Sequence, residues 1–125
     1  MIKNILLVGF GGGLGSIARW LCQKWFSENH PQSFPWSTFI INLTGCFLIG
    51  VIYEASEKSL AIGPQTRLLL IPGFCAGFTT FSTFAYENML FLRSGDLSYF
   101  LIYTFGSVLL GIIGVFGGIA FMKLL

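Results

Sequence analysis

Four long apolar runs, separated by short polar segments, dominate the chain. A helix needs about 20 predominantly apolar residues to cross the hydrocarbon core of a membrane. Four stretches reach that length, at about 4–26, 36–54, 66–92 and 97–122. Most of the prolines lie in the connections between them, at 27–35, 55–65 and 93–98. The pattern predicts an all-α integral membrane protein of the cell (plasma or inner) membrane, with four transmembrane helices in a single domain over residues 1–125.

The composition agrees with lipid as the main solvent. The chain is 54% hydrophobic and 10% charged, whereas a soluble domain carries about a quarter charged residues. Its net charge of +2 is too small for a surface that neutralises nucleic-acid phosphates. The cysteines are odd in number and lie inside apolar runs, so we predict small core residues rather than disulfides: Cys22, Cys46 and Cys75. His30 has no Cys or carboxylate cluster beside it, which argues against a zinc site.

Lysine and arginine are only weakly biased toward one side of the predicted bundle. One side carries Lys3, Lys58, Arg67 and Lys123, and the other carries Lys24 and Arg93. Since an excess of Lys and Arg normally sets the orientation, we hypothesise that both orientations are inserted. An antiparallel homodimer then becomes possible, and cysteine tags accessible from one side only would count against it.

Glycine recurs at the spacing that lets membrane helices approach closely. Four pairs lie four residues apart: Gly9 and Gly13, Gly11 and Gly15, Gly73 and Gly77, and Gly114 and Gly118. Such pairs bring helix backbones together where no hydrophobic effect drives association. They predict a tight bundle.

The third apolar stretch carries an unusual cluster of hydroxyls and phenylalanines. Its hydroxyls are Thr79, Thr80, Ser82 and Thr83. They can bond back to helix carbonyls within a continuous helix, or they can accompany a break that exposes carbonyls able to bind Na⁺. Phe81 and Phe84 share a face if the following segment is helical, and their electropositive ring edges could hold an anion.

Polar groups in the other stretches could complete a path. Thr38 and Asn42 share a helix face, and a membrane-embedded Asn needs either a partner across a helix interface or an aqueous path. Ser107, near Tyr103, could line that path from the fourth helix. Arg19 either serves a function inside the membrane or extends its side chain to the interface. Glu87 is the most deeply embedded carboxylate.

Three segments, 12–20, 37–45 and 73–84, resemble the three signatures of the Fluc (CrcB-type) family of fluoride channels. They occur in the family's order in three successive predicted helices, so the resemblance covers essentially the whole chain. It implies a fluoride-selective passive channel that exports cytoplasmic fluoride and confers fluoride resistance, and not an enzyme. It also implies a broken third helix, a dual-topology antiparallel homodimer with two pathways, and a structural Na⁺ at the dimer interface.

The resemblance also implies roles for individual residues. Phe81 and Phe84 match the pore phenylalanines and Asn42 matches the pore amide, while Thr38 and Tyr103 border the pathway. Ser82, Thr83 and Ser107 match the hydroxyls of the polar track, the row of polar groups along the family's fluoride pathway. The backbone carbonyls of Ala76 and Thr79 match the Na⁺ ligands. Arg19 matches the arginine near the vestibule, and Glu87 matches the carboxylate that follows the pair of phenylalanines.

The sequence departs from the family pattern at two informative positions. Ala76 stands where the family usually has glycine, and a carbonyl ligand survives that change unless the backbone needs a positive φ. Gly111 stands where many relatives carry a hydroxyl, which leaves open whether the polar track is one group shorter.

Three other classes of protein fit the sequence less well. A small dual-topology multidrug transporter would carry a carboxylate within the first helix, where this chain has Arg19. A membrane enzyme would need a nucleophile and base pair or a metal cluster. A purely structural subunit would not explain the cluster of hydroxyls and phenylalanines.

Overall fold

A computed structural model describes residues 1–30, 33–58 and 62–125, and within these ranges the secondary structure is helical, with no strand. Three helices are continuous: α1 (Ile2–Asn29), α2 (Trp36–Lys58) and α6 (Leu97–Lys123). The third stretch, Pro64–Ser94, is composite. It comprises α3 (Pro64–Leu68), a π-helical segment (Leu69–Cys75), α4 (Ala76–Phe78) and α5 (Phe81–Ser94). Four stretches are long and apolar enough to cross a membrane, which confirms the predicted number of spans.

The helices are longer than the apolar runs that predicted them. α1 continues to Asn29 and α2 to Lys58, so the connections are shorter than 27–35 and 55–65. Residues 31–32 and 59–61 of those connections lie outside the described residues. Polar residues can extend a helix beyond the hydrocarbon, because hydropathy limits the span and not the helix itself. Between α5 and α6, Gly95 adopts a left-handed conformation with φ of 82°, which a residue with a side chain rarely accepts.

Two glycine-lined contacts hold the bundle together. α1 packs against the π-helical segment and α4, where a β-carbon added at Gly15 would lie 2.8 Å from the Phe78 amide nitrogen. α2 packs against α6, where a β-carbon added at Gly118 would lie 2.8 Å from the Val51 amide nitrogen. Any side chain at these positions would separate the backbones.

The glycine pairs differ in what they face. Gly11 and Gly15 lie against Phe74 and its neighbours in the third stretch, whereas nothing lies within 4 Å of a β-carbon added at Gly9 or Gly13. Gly9 and Gly13 therefore take no part in the close backbone contacts that Gly11 and Gly15 make within this chain. They lie two residue positions from Gly11 and Gly15, about 200° around the helix, and so on the opposite face of α1.

The outer faces of the bundle are apolar and the core is small. Large apolar side chains are exposed along α1 and α6, among them Ile5, Phe10, Trp20, Ile102, Phe105 and Phe116. A buried aromatic cluster of Phe84, Phe91 and Tyr103 joins α5 to α6. Exposed apolar faces of this extent are expected where lipid replaces water.

Candidate functional site

Helical structure is interrupted at two threonines in the middle of the third stretch. Thr79 has φ of −83° and ψ of 159°, and Thr80 has φ of −148° and ψ of 120°, so both are extended. The Thr80 hydroxyl accepts a hydrogen bond from the Thr83 amide at 3.3 Å, which caps the first turn of α5. The Thr79 hydroxyl donates back to the Cys75 carbonyl at 2.9 Å. Thr79 thus bonds back to the helix that precedes it, and Thr80 caps the helix that follows.

Asn42 holds the interruption in place from α2. Its side-chain nitrogen donates to the Thr80 carbonyl at 3.1 Å, and its side-chain oxygen accepts from the Thr80 amide at 2.9 Å. This paired contact replaces the two backbone hydrogen bonds that a continuous helix would provide at Thr80. An amide nitrogen carries two hydrogens, and the Thr80 carbonyl takes only one of them. Asn42 therefore has a partner across a helix interface and also keeps a donor for another group.

The carbonyl oxygens at the end of α4 leave the regular helical ladder. The Arg19 Nε donates to the Gly77 carbonyl at 3.0 Å, so the arginine satisfies one of them. The Thr80 amide, four residues after Ala76, bonds to Asn42 rather than completing a helical turn. The last carbonyls of a helix require partners outside it. The Ala76 and Thr79 carbonyls belong to this group.

The Glu87 side chain on α5 forms hydrogen bonds with residues of two other helices, α2 and α6. Thr38 on α2 donates to one carboxylate oxygen at 3.0 Å, and Tyr103 on α6 donates to the other at 2.7 Å. Thr38 is 1% exposed and Tyr103 is fully buried. Glu87, Thr38 and Tyr103, called here the carboxylate triad, place two hydroxyl donors around one acidic group inside the bundle.

The two predicted pore phenylalanines lie side by side but differ in exposure. Their ring centroids are 5.8 Å apart, at an angle of 43°. Phe84 is buried, with its ring 4.9 Å from that of Tyr103, whereas Phe81 is 78% exposed. The described part of the chain thus covers one ring and leaves the other exposed.

Two cavities lie next to these groups. The larger, of about 640 Å³, opens between α1 and the start of α2 and reaches Thr38, Thr83 and Glu87. We call it the vestibule; its wall includes Gln23 and Ser27 on α1 and His30 just after that helix. The smaller, of about 250 Å³, is called the inner cavity and is lined by Asn42, Cys46, Ile49, Thr79, Thr80, Phe81, Phe84, Ser107 and Val108.

The structure brings most of the predicted site residues to these two cavities. Thr38, Thr83 and Glu87 line the vestibule, and Asn42, Thr79, Phe81, Phe84 and Ser107 line the inner cavity. Tyr103 lies between the two groups through its contacts with Glu87 and Phe84. Ser82 is exposed at the start of α5, and Ala76 is exposed on α4. Arg19 lies one turn before Gln23 and bonds to Gly77.

Sequence reasoning missed several residues of this region. Cys46 was expected to be a small core residue, yet it lines the inner cavity. Thr80 was not separated from its neighbouring hydroxyls, although its backbone anchors the Asn42 side chain. Asn88 is buried, and its side-chain oxygen has no partner among the described residues. The i, i+4 step from Asn42 was the one signal in the sequence that could have indicated Cys46.

The fold and site define a small helical membrane protein that crosses the membrane several times and holds polar side chains around two open cavities. The profile of the family described as CrcB-like protein, Camphor Resistance (CrcB), matches residues 6–119. The chain belongs to this CrcB family.

Curated relatives agree with the family profile over nearly the whole chain. The chain is similar to the protein named fluoride-specific ion channel FluC of Leptospira interrogans, with 48% identity over 97% of this chain and 95% of the relative. It is similar to proteins of the same name from Phocaeicola vulgatus, at 45% identity over 94% and 97%, and Campylobacter lari, at 44% identity over 98% and 100%.

Proposed function

We propose that this protein is a fluoride-selective passive ion channel that exports cytoplasmic fluoride and so confers fluoride resistance. The relatives named above are called fluoride-specific ion channels. The observation that carries the proposal here is the inner cavity, in which the Asn42 amide, the Ser107 hydroxyl and the rings of Phe81 and Phe84 line one space. Fluoride is strongly hydrated, so its passage needs replacement donors.

The chemistry of the two cavities suits an anion that must enter and leave. Amide, hydroxyl and ring-edge hydrogens are several weak donors rather than one strong cationic site, and conduction requires binding weak enough for release. From the vestibule, an anion would meet the carboxylate triad, where the Thr38 and Tyr103 hydroxyls now point at Glu87. Fluoride competing for those two donors would pass from the vestibule toward Phe84.

The exposed Phe81 ring supports an assembly in which a second subunit completes the pathway. Phe81 is 78% exposed next to the inner cavity. A pathway that is open to the bilayer on one side could not keep lipid out. An antiparallel, dual-topology homodimer with two fluoride pathways would cover that ring, and the weak bias of Lys and Arg toward one side permits both orientations.

A structural Na⁺ at the dimer interface belongs to the same proposal. The carbonyls of Ala76 and Thr79 lie at the interruption of the third stretch, and hard cations prefer oxygen ligands. The non-helical Thr79 and Thr80 would then be the break in the third membrane helix that exposes these oxygens. The residues present fit such an ion, because the Ala76 φ of −67° is one that alanine accepts readily.

Replacing one exposed phenylalanine tests the pathway directly. We expect Phe81→Ile to reduce fluoride efflux from proteoliposomes at least about a hundredfold, because the branched aliphatic side chain has no electropositive ring edge. Phe105→Ile is the matched control, since Phe105 is 66% exposed on α6 and does not line the inner cavity. Efflux that survives Phe81→Ile in a folded protein would remove Phe81 from the pathway.

A further inference from the structure

Cys46 occupies a position that the proposed pathway does not yet explain. It lies on α2 one turn after Asn42 and lines the inner cavity together with Ser107 and the two phenylalanines. It is partly buried and is a free thiol.

The opposite wall, on α6, loses its polar side chains at the level of this thiol. Tyr103, Ser107 and Gly111 are spaced four residues apart and therefore follow one face of the helix. Tyr103 and Ser107 carry hydroxyls, whereas Gly111 has no side chain. A β-carbon built on Gly111 would lie 3.5 Å from the Cys46 sulfur, so the thiol faces the position where α6 offers no polar group.

One hydroxyl close to this level, one turn before Gly111, has no partner in the described part of the chain. The Ser107 hydroxyl oxygen is buried and has no hydrogen-bond partner among the described residues. Buried hydroxyls are normally paired, so the unpaired Ser107 hydroxyl keeps a hydrogen that a group inside the cavity could accept. The Cys46 thiol lies on the facing helix of the same cavity.

We propose that the Cys46 thiol is a further member of the fluoride pathway, supplying from α2 the weak donor that Gly111 does not supply from α6. This inference rests on the proposed function and extends it by one residue. An S–H group is a weak hydrogen-bond donor, which suits a site that an anion must leave quickly. The polar lining then continues past Ser107 on the other wall.

Silver ions test whether the thiol faces the conduction path. Ag⁺ is a small soft cation with high affinity for thiolate, and chloride-free solutions keep it dissolved. We expect micromolar Ag⁺ to reduce fluoride efflux of the unmutated protein at least about tenfold, and Cys46→Ser, which retains Cys22 and Cys75, to be resistant. The inference would be overturned if Ag⁺ left fluoride efflux of the unmutated protein unchanged, or if Ag⁺ still blocked Cys46→Ser.

Exchanging the polar group between the two walls tests its role as a donor. We expect Cys46→Ala to slow fluoride efflux about fivefold, the size of one modest hydrogen bond, and Cys46→Ser to stay within about twofold of the unmutated rate. Adding Gly111→Ser to Cys46→Ala should restore the rate, because the new hydroxyl enters the space that the sulfur left. Cys22→Ala on α1 is the matched control and should leave efflux unchanged.

The outcomes separate this inference from the function on which it rests. If the unmutated protein moves no fluoride, the proposed function fails and the role of Cys46 fails with it. If the unmutated protein conducts, and Cys46→Ala and Cys46→Ser both conduct at its rate, only the inference about Cys46 is wrong.

Discussion

The two halves of the third membrane stretch are built in different ways. Before Thr79, the π-helical segment and α4 pack backbone to backbone against α1, and a β-carbon added at Gly77 would lie 3.0 Å from the Gly12 α-carbon. After Thr80, α5 contacts its neighbours through side chains, as in the Glu87 contacts with α2 and α6. Close backbone packing leaves no room for a cavity, whereas side-chain contacts leave gaps with polar walls. The first half therefore serves as scaffold and the second half carries the chemistry.

The largest expected effect comes from adding a side chain to the scaffold half. Gly15→Val should prevent the folded bundle from forming, because its β-carbon would lie 2.8 Å from the Phe78 amide nitrogen and neither backbone can move freely. We expect a loss of more than about 4 kcal/mol, seen as absence of a monodisperse peak after detergent extraction. Gly13→Val is the control, because nothing lies within 4 Å of a β-carbon there. Equal yields of the two variants would contradict the scaffold role.

A substitution at the junction of the halves should abolish conduction while the protein stays folded. Asn42→Asp keeps an acceptor for the Thr80 amide but loses the donor to the Thr80 carbonyl, and it places negative charge on the wall of the inner cavity. We expect fluoride efflux to fall about a hundredfold, from repulsion of the anion in a site with little water. Asn29→Asp, at the exposed end of α1, should have no effect on efflux.

Sequence alone could predict the four spans, because apolar runs of membrane length leave few alternatives. It could not distinguish the buried Gly11 and Gly15 from the exposed Gly9 and Gly13, since both pairs have the same spacing and only the direction of the helix face differs. The hydrogen-bond partners of Glu87 could not be predicted from the sequence either, because Thr38 and Tyr103 lie 49 and 16 residues away along the chain. The roles of Asn42, Phe81 and Phe84 stay predictions that the geometry supports.

Removing one hydroxyl that contacts the second half from α6 should have a moderate effect. Tyr103→Phe leaves one Glu87 oxygen without its donor, which costs about 1–3 kcal/mol for a buried group. We expect a lower thermal midpoint in detergent and slower fluoride efflux. Tyr99→Phe is the matched control, because Tyr99 is 38% exposed on the same helix. Indistinguishable melting curves for Tyr103→Phe and the unmutated protein would contradict the importance of the carboxylate triad.

The smallest effect concerns the cation proposed between the halves. Binding of Na⁺ to the folded dimer alone would stabilise it by mass action. We expect a thermal midpoint of dimer dissociation about 3 °C higher in Na⁺ than in K⁺ at equal ionic strength, followed by size-exclusion chromatography after heating. Identical midpoints in the two salts would contradict the proposed cation site. A protein that is monomeric in both salts would contradict the proposed dimer as well.

The most direct test of the whole account is anion efflux from proteoliposomes that contain the purified, unmutated protein. A potassium ionophore carries the compensating charge, and external electrodes follow fluoride and chloride in parallel samples. The account predicts rapid release of fluoride with little release of chloride. A folded protein that releases neither anion, or both at similar rates, would contradict a fluoride-selective channel.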